Sequence, residues 1–323
     1  MFRLSDLESA VRTVRAHVPA TPQYAWPLLR QRVGAEVVVK HENHAPTGAF
    51  KVRGGIVFVD RLRRRRPDVT GIITATRGNH GQSLAFAAGR VGIATTIVVP
   101  HGNSPEKNAA MRAYGADLIE HGTDFDEARQ HAEKTAAERG LTLAPSYSGD
   151  LVLGVATYGH ELLMAFPDLD TVYVPIGLGS GICGLIGARE ALGRRTRIVG
   201  VVSDRANAYA LSFAAGRVMP TSSARTFADG VAARVPDAAA LDVIRRGAER
   251  VVEVTDDAIA EAIRILFSAT HNCAEGAGAA ALAALLKERD HLQGRQAAVI
   301  LTGQNIDRTV MAAVLAGDTP QAG

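Results

Sequence analysis

The chain has 323 residues, of which 47% are hydrophobic and 21% are charged, and this predicts about two soluble globular domains at roughly 150 residues each. Its 36 basic and 33 acidic residues leave a net charge of only +3, which argues against a nucleic-acid or anionic-membrane partner. The two cysteines, Cys183 and Cys273, lie far apart. Their spacing excludes a disulfide scaffold and a cysteine-based zinc site, and is typical of a cytoplasmic protein.

Two further features bear on location. No apolar stretch approaches the roughly 20 residues that cross a bilayer, and Asp6 and Glu8 stand where a signal peptide would have its apolar core. We therefore expect a cytoplasmic protein with no membrane partner. The dense basic run at 61–66 ends at Pro67 and suits the last turn of a helix, so we interpret it as a solvated helix end.

Short β-branched segments alternate along the chain with longer segments of helical periodicity. The predicted strands are Glu36–Lys40, Gly71–Ala75, Thr95–Pro100, Asp117–Glu120, Thr171–Gly177, Arg197–Ser203, Val251–Thr255 and Ala297–Gly303. Helical spacing is clearest in Leu84–Gly92, Asp126–Gly140 and Ala277–Glu288. Each of the first five strands is followed by room for a crossover helix, which predicts an α/β fold with parallel sheets. Turn-rich stretches at His41–Thr47 and Pro145–Gly154 suggest that residues 47–151 form a small domain inserted into a larger one.

The first candidate site residue is Lys51, in the segment Pro46-Thr47-Gly48-Ala49-Phe50-Lys51. Thr47 as an N-cap would put Lys51 in the first turn of a helix. The positive helix end and burial beside Phe50 would both lower the pKa of the lysine, and a neutral lysine can form a Schiff base. A surface lysine is the alternative, but a cation is the wrong charge for that position.

The second candidate is the segment Thr76-Arg77-Gly78-Asn79-His80, which follows a strand and opens a helix. Unpaired N–H groups at a helix start bind anions, here a substrate carboxylate, and the Asn79 and Thr76 side chains add hydrogen bonds. The alternative is a simple turn with a capping Asn79. We expect His80 to be a satisfied histidine at the helix start rather than a catalyst.

The third candidate is the glycine-rich segment Gly177-Leu178-Gly179-Ser180-Gly181, again between a strand and a helix, where backbone amides can close on a phosphate. Residues 179–184 also match G-x-G-x-x-G, with Asp204 about 20 residues on, so an NAD-dependent dehydrogenase fits this segment alone. That reading leaves Lys51 and Asn79 unexplained. Finally, Thr302 lies at the carboxyl end of a predicted strand, at the sheet edge where ligands bind. Together these segments describe a site for a phosphorylated aldehyde cofactor and an amino acid.

Over nearly its whole length, and through four motifs in order, the sequence resembles the fold type II pyridoxal-phosphate enzymes, specifically the serine/threonine dehydratase and serine racemase family. The resemblance implies two domains, each a mostly parallel sheet covered by helices, with a large domain that binds pyridoxal 5'-phosphate (1–46 and 152–323) and a small inserted domain (47–151). It also implies a homodimer that acts on a small amino-acid substrate.

The resemblance implies a role for each motif. Lys51 carries the cofactor as a Schiff base, Phe50 packs against the cofactor ring, Asn79 binds the ring hydroxyl and Thr302 meets the pyridine nitrogen. The phosphate is bound by Gly177, Leu178, Gly179, Ser180 and Gly181. The substrate is bound by Thr76, Arg77, Gly78, Asn79 and His80. Glu275 opens another segment that resembles the family near the cofactor, and its role is left open.

Three departures from the family pattern matter. The phosphate loop contains Leu178 and Ser180 instead of continuous glycine. Arg77 replaces the serine that serves the racemases as second acid/base, which favours elimination. Only Asp204 is acidic where metal-binding members have their ligands, so we predict no metal ion.

The chemistry follows from Thr302, whose hydroxyl is too weak an acid to protonate the pyridine. A neutral ring favours β-elimination with Lys51 as the base. No motif residue is an obvious acid for the leaving hydroxyl, so we expect the cofactor phosphate or a bound water to help protonate it. We therefore predict a dehydratase (ammonia-lyase) that converts a β-hydroxy α-amino acid of the threonine or serine type to a 2-oxo acid and ammonia. The alternatives are a 3-hydroxyaspartate dehydratase that uses Arg77, a phenylserine dehydratase, a serine racemase, an NAD-dependent dehydrogenase and a catalytically silent binding protein.

Overall fold

The computed structural model describes residues 1–321, in which thirteen α-helices cover two β-sheets. The helices are α1 Leu4–Arg15, α2 Pro27–Val33, α3 Lys51–Arg65, α4 Asn79–Gly89, α5 Pro105–Ala113, α6 Phe125–Arg139, α7 Gly149–Ala165, α8 Ser180–Ala191, α9 Ala208–Ala215, α10 Ala238–Gly247, α11 Asp256–Thr270, α12 Gly276–Lys287 and α13 Arg308–Ala316. The strands are β1 Gln23–Ala25, β2 Glu36–His41, β3 Gly71–Ala75, β4 Ala94–Val99, β5 Asp117–Glu120, β6 Thr142–Leu143, β7 Thr171–Pro175, β8 Arg197–Ser203, β9 Arg250–Val254 and β10 Gln296–Leu301.

The larger sheet has the strand order β1-β2-β10-β7-β8-β9. Its strands are parallel apart from β1, which pairs antiparallel with β2 at one edge. Successive side chains of β2 pack into two hydrophobic cores, one on each face of the sheet. Val37 and Val39 belong to one core and Val38 to the other. Burial on both faces explains the continuous apolar runs of these strands, and the predicted α/β fold with parallel sheets is confirmed.

The smaller sheet has the order β5-β4-β3-β6 and is parallel throughout. All four strands lie between Gly71 and Leu143, within the range predicted for the inserted domain. The predicted boundary after residue 151 falls inside α7, which packs against both α3 and α8. The division into domains therefore stays a prediction whose second boundary crosses a continuous helix.

All eight predicted strands are present, with ends within two residues of the prediction. The short strands β1 and β6 were not predicted, because two or three residues show no alternation and depend on pairing with a neighbour. The helix predicted at Leu84–Gly92 is α4, which begins five residues earlier at Asn79. Most of α4 is buried all round, so its sequence carries little amphipathic signal at the start.

A buried ionic cluster joins β2, α3 and α7 close to the start of α3. The Arg53 guanidinium donates to Glu42 Oε2 at 2.7 Å and to Glu161 Oε1 at 2.9 Å, and Lys40 Nζ donates to Glu161 Oε2 at 2.6 Å. Lys40, Glu42 and Arg53 are fully buried. Since Arg53 lies two residues after Lys51, the cluster fixes the first turn of α3 in the interior.

At the other end of α3, the basic run lies on the surface. Its residues 63–66 are exposed, and Arg61 and Arg65 both pair with Asp150. The prediction of a solvated helix end is therefore confirmed. No helix within residues 1–321 is long and apolar enough to cross a membrane.

Candidate active site

Lys51 is the first residue of α3, and Phe50 occupies the N-cap position. The expectation that Thr47 is the N-cap is therefore wrong. The segment between Thr47 and Lys51 pairs instead with the segment that follows β10. The Phe50 amide donates to the Thr302 carbonyl at 3.0 Å, and the Gln304 amide donates to the Gly48 carbonyl at 2.9 Å. This pairing delays the helix and brings the lysine segment against the Thr302 segment.

Lys51 is half-buried, and its amine has no counterion in direct contact. Its Nζ lies 5.1 Å from the centre of the Phe50 ring, and no hydrogen-bond or ion-pair partner of Nζ is found among residues 1–321. Burial lowers the pKa of Lys51, and the carboxyl of Glu275 opposes this shift. The predicted depression of the lysine pKa is thus supported, although burial rather than a cap is its main cause.

His80 lies beside Lys51, and the two side chains line a small cavity together with Ser146 and Ser180. Within the described part of the chain, His80 Nε2 has no hydrogen-bond partner. Burial lowers the pKa of His80 to about 3, and the nearby Lys51 ammonium adds to the shift. The expectation of a satisfied histidine is therefore wrong, because a neutral imidazole presents an unpaired nitrogen to the site.

The loop before α4 has the form of an anion site. Thr76 Oγ1 accepts a hydrogen bond from the Gly78 amide at 3.1 Å, and α4 begins at Asn79. The amides of Asn79 and His80 have no acceptor in the described residues, which leaves them available to a carboxylate. Arg77 is exposed, so its guanidinium is not part of the buried site in this structure.

The Asn79 side chain connects the loop to the larger sheet. Its Nδ2 donates to Glu275 Oε1 at 2.8 Å, and its Oδ1 accepts from Asn305 Nδ2 at 2.7 Å. Asn305 Nδ2 also donates to the Thr47 carbonyl at 2.8 Å. These bonds fix the orientation of the Asn79 side-chain amide within the site.

Glu275 has one oxygen bonded and one unpaired. Its side chain is buried, and Oε2 has no partner among residues 1–321. Burial raises the pKa of Glu275 to about 7, with Lys107 opposing and Asp229 adding to the shift. A large part of this carboxyl is consequently protonated at neutral pH.

Lys107 and Asp229 form an ion pair close enough to Glu275 for both charges to act on its carboxyl. Lys107 belongs to α5, and its aliphatic stem packs on the loop, since a Cβ added at Gly78 would lie 2.9 Å from Lys107 Cδ. Burial lowers the pKa of Lys107, but Asp229 and Glu275 outweigh it and raise the pKa above its usual value. The sequence reading missed this pair, because neither residue lies in a glycine-rich strand end.

The phosphate loop runs from β7 into α8. Gly179 has φ +99°, and a Cβ there would lie 2.7 Å from Ala240 Cβ, so the position requires glycine. At Gly177 a Cβ would lie 2.3 Å from the Gly230 carbonyl oxygen. No acceptor for the amides of Leu178, Gly179, Ser180 or Gly181 is found in the range 1–321, which leaves a cradle of N–H groups suited to a phosphate.

These features fit pyridoxal 5'-phosphate. A buried amine with a lowered pKa at Lys51 can carry an aldehyde, and the amide cradle can bind a phosphate. Phe50 lies between them, with its ring 3.5 Å from the position of a Cβ at Gly181. Thr302 is buried at the end of β10, where the resemblance places it against the pyridine nitrogen.

Four polar contacts hold α5 and α6 against the larger sheet's loops. Besides Lys107 with Asp229, they join Ser104 to Asp307, Arg234 to Asp126, and Glu106 to the amide of Arg308. The site thus lies in a closed cleft. Among residues 1–321 there is no group of three or more metal-ligating side chains, and the absence of a metal ion stays a prediction.

A half-buried lysine with a lowered pKa, a cradle of unpaired amides and a second loop with unpaired amides define an enzyme of the pyridoxal-phosphate type. The chain belongs to the pyridoxal-phosphate dependent enzyme family, whose model matches residues 14–303. The alternative of an NAD-dependent dehydrogenase is therefore wrong, and the G-x-G-x-x-G match at 179–184 overlaps the predicted phosphate loop at 177–181.

Comparison with individual proteins gives the same result. The chain is 35% identical to an L-threonine ammonia-lyase from Geobacter sulfurreducens, over 88% of this chain and 71% of that protein. Its fold is similar to the processed form of threonine deaminase isoform 2 from Solanum lycopersicum, with a TM-score of 0.90 and 29% identity over 98% and 94% of the two chains. It is also similar to maize serine racemase, with a TM-score of 0.90 and 27% identity over 97% of each chain.

Proposed function

We propose that the protein is a pyridoxal-phosphate dependent dehydratase (ammonia-lyase) that converts L-threonine or L-serine to a 2-oxo acid and ammonia by β-elimination. The observation that carries the proposal is the half-buried amine of Lys51, which has a lowered pKa and no partner among residues 1–321, between the amides of residues 178–181 and the unpaired amides of Asn79 and His80. The names of its relatives, L-threonine ammonia-lyase and threonine deaminase, support the same reaction.

Each motif residue has a proposed task. Lys51 carries the cofactor, residues 177–181 bind its phosphate, and Phe50, Asn79 and Thr302 contact its ring. The loop Thr76–His80 binds the substrate carboxylate through its backbone amides. When bound, the cofactor supplies an electron sink for the bond that breaks at Cα.

The protein's own residues then direct the reaction. Lys51, whose pKa is lowered by burial, would take the Cα proton once it is free of the cofactor. Thr302 offers a hydroxyl to the pyridine nitrogen, and a hydroxyl cannot act as the counterion that a protonated ring would need. The electron sink is consequently moderate, which favours prompt loss of the β-hydroxyl over a long-lived carbanion.

Racemisation needs a proton donor on the face of Cα opposite Lys51. In the racemases that the sequence resembles, a serine stands at the position of Arg77, whereas the Arg77 side chain is exposed here. His80 is held neutral by burial and lines the same small cavity as Lys51. We therefore favour elimination over racemisation for this chain.

The substrate preference follows from the same residue. An exposed Arg77 leaves the buried face of the loop to the backbone amides, which suits a neutral side chain such as that of threonine. A second carboxylate, as in 3-hydroxyaspartate, would require the guanidinium to turn inward.

We also propose a large domain (1–46 and 152–323), an inserted small domain (47–151), a homodimer and a cytoplasmic location.

The decisive experiment is a 2-oxo acid assay on the purified, cofactor-loaded protein with threonine, serine, 3-hydroxyaspartate and phenylserine. We expect visible absorption from the bound cofactor, and product from threonine or serine that is absent in a Lys51→Ala control. A yellow protein that releases no 2-oxo acid from any of the four would contradict the proposal and favour a silent binder. Release of D-serine faster than pyruvate would instead favour a racemase.

A further inference from the structure

The elimination described above has no proton donor for the β-hydroxyl among the residues assigned so far. Hydroxide is a poor leaving group, so its departure needs a proton in the transition state. Lys51 is occupied as the base, and His80 is neutral with a pKa near 3. Lys107 is held by Asp229, and Thr302 is a weak acid.

Glu275 has the placement that a proton donor needs. Its amide donates to the Gly303 carbonyl at 3.1 Å, which fixes it beside the end of β10. Its Oε1 is anchored by Asn79 at 2.8 Å, while Oε2 has no partner in the described residues. A buried carboxyl oxygen with no partner costs free energy unless it donates or accepts a bond in the working site.

The charges around Glu275 come from every element packed against it. Lys51 on α3 and Lys107 on α5 favour its ionised form, Asp229 disfavours it, and the neutral Asn79 on α4 donates to it. Burial is the largest influence and favours the protonated form. A carboxyl poised near neutrality can release a proton and regain it within each turnover.

We propose that Glu275 is the proton donor to the leaving β-hydroxyl, an inference that rests on the proposed β-elimination. Lys51 takes the Cα proton, and the electron pair of the Cα–H bond forms the Cα–Cβ double bond. The Cβ–O bond breaks with its electron pair on oxygen, which takes the proton of Glu275 and leaves as water. Glu275 becomes a carboxylate, and the proton held by Lys51 or a solvent proton restores it.

The leaving group provides the test, because chloride departs without a proton whereas hydroxide does not. The substitution Glu275→Gln keeps the shape and can still accept from Asn79, but it removes the acid. With L-serine we expect kcat to fall by about 100-fold or more, as for loss of a general acid. With β-chloro-L-alanine we expect kcat to change by less than about threefold.

Two readouts separate this role from a purely structural one. The cofactor absorption spectrum and the melting temperature of Glu275→Gln should match those of the wild type if Glu275 only supplies a proton. Glu288→Gln is the matched control, because Glu288 is a partly buried carboxylate bonded to Tyr173 and Arg250. Glu288→Gln should reduce turnover of neither substrate.

The wild-type enzyme gives an independent measurement that does not depend on any variant folding. A general acid works only while protonated, so kcat for serine should fall as the pH rises through the pKa of Glu275. The same alkaline loss should be absent, or clearly smaller, with β-chloro-L-alanine. Identical alkaline limbs for both substrates would overturn the assignment.

Other outcomes are equally decisive. Equal losses with serine and β-chloro-L-alanine in Glu275→Gln, together with a changed spectrum, would show that Glu275 positions Asn79 and donates no proton to the substrate. An unchanged kcat for serine would also overturn the assignment. A wild-type enzyme that eliminates chloride but never hydroxide would contradict the proposed function itself.

Discussion

Removal of the Arg53 side chain should destabilise the fold strongly, even though its guanidinium makes no hydrogen bond to a residue of the proposed cofactor site. Its guanidinium is fully buried and makes ion pairs with Glu42 at 2.7 Å and Glu161 at 2.9 Å. It also donates to the hydroxyl groups of Thr21 and Thr157. In Arg53→Ala these acceptors lose their donors, and alanine cannot replace them.

The magnitude follows from the charge balance of the cluster. With Arg53 present, two buried cations face two buried carboxylates. Without it, the buried Lys40 faces both carboxylates, with its Nζ 2.6 Å from Glu161 but 4.0 Å from Glu42, and the more exposed Arg15 still pairs with Glu161 at 3.1 Å. Glu42 therefore loses its close cationic partner. Breaking a buried ion pair by removal of one partner costs about 3–5 kcal/mol. At roughly 2–4 °C per kcal/mol, the melting temperature should fall on the order of 10 °C.

The same cluster predicts a pH dependence. Burial alone would raise the pKa of Glu161, but Arg53 and Lys40 outweigh burial and lower it. A carboxyl with a depressed pKa in the folded state stabilises the protein above its unfolded pKa, and this contribution is lost as the pH falls through the folded pKa. The wild type should therefore lose stability in acid, and Arg53→Ala should lose less of it over the same range.

Thermal unfolding followed by circular dichroism is the assay, with Arg64→Ala as the control. Arg64 lies on the same helix, but it is exposed and pairs with Asp60 one turn away, so its loss should cost less than about 1 kcal/mol. Equal melting temperatures for Arg53→Ala and Arg64→Ala would refute the reasoning. A fall in cofactor absorption that parallels unfolding of Arg53→Ala would show that the cluster also holds Lys51.

The remaining predictions concern the site. Lys51→Ala should remove turnover and the visible absorption of the cofactor together; borohydride reduction that labels any other lysine would contradict the assignment. Thr302→Asp should protonate the pyridine and raise transamination products relative to elimination, and an unchanged product ratio in the loaded variant would refute this. Arg77→Ala should reduce turnover of all substrates by a similar small factor, whereas a loss confined to 3-hydroxyaspartate would show that the guanidinium binds a second carboxylate. Arg77→Ser should begin to release D-serine, as chiral chromatography would detect. Chelator treatment should leave activity and melting temperature nearly unchanged, and a loss restored by Mg²⁺ would reveal a metal site.

Part of the site could be found from sequence because its signals are local. Lys51, Asn79 and residues 177–181 each lie at a glycine-rich turn between a strand and a helix, where unpaired amides are inevitable. Lys107 and Asp229 have no such signal. Lys107 is an ordinary residue of a helix capped by Ser104, and only the packing of that helix across the cleft brings its ammonium to the site.

The sequence by itself determined the class of fold and the chemistry of the main motifs. β-branched strands and helical spacing are properties of short segments, so the eight principal strands could be predicted, whereas β1 and β6 depend on their partners. Only the tertiary structure decided that Arg77 is exposed, that His80 has an unpaired nitrogen and that Glu275 has a raised pKa. These properties depend on desolvation and on charges brought together from distant segments, and both arise only when the chain has packed.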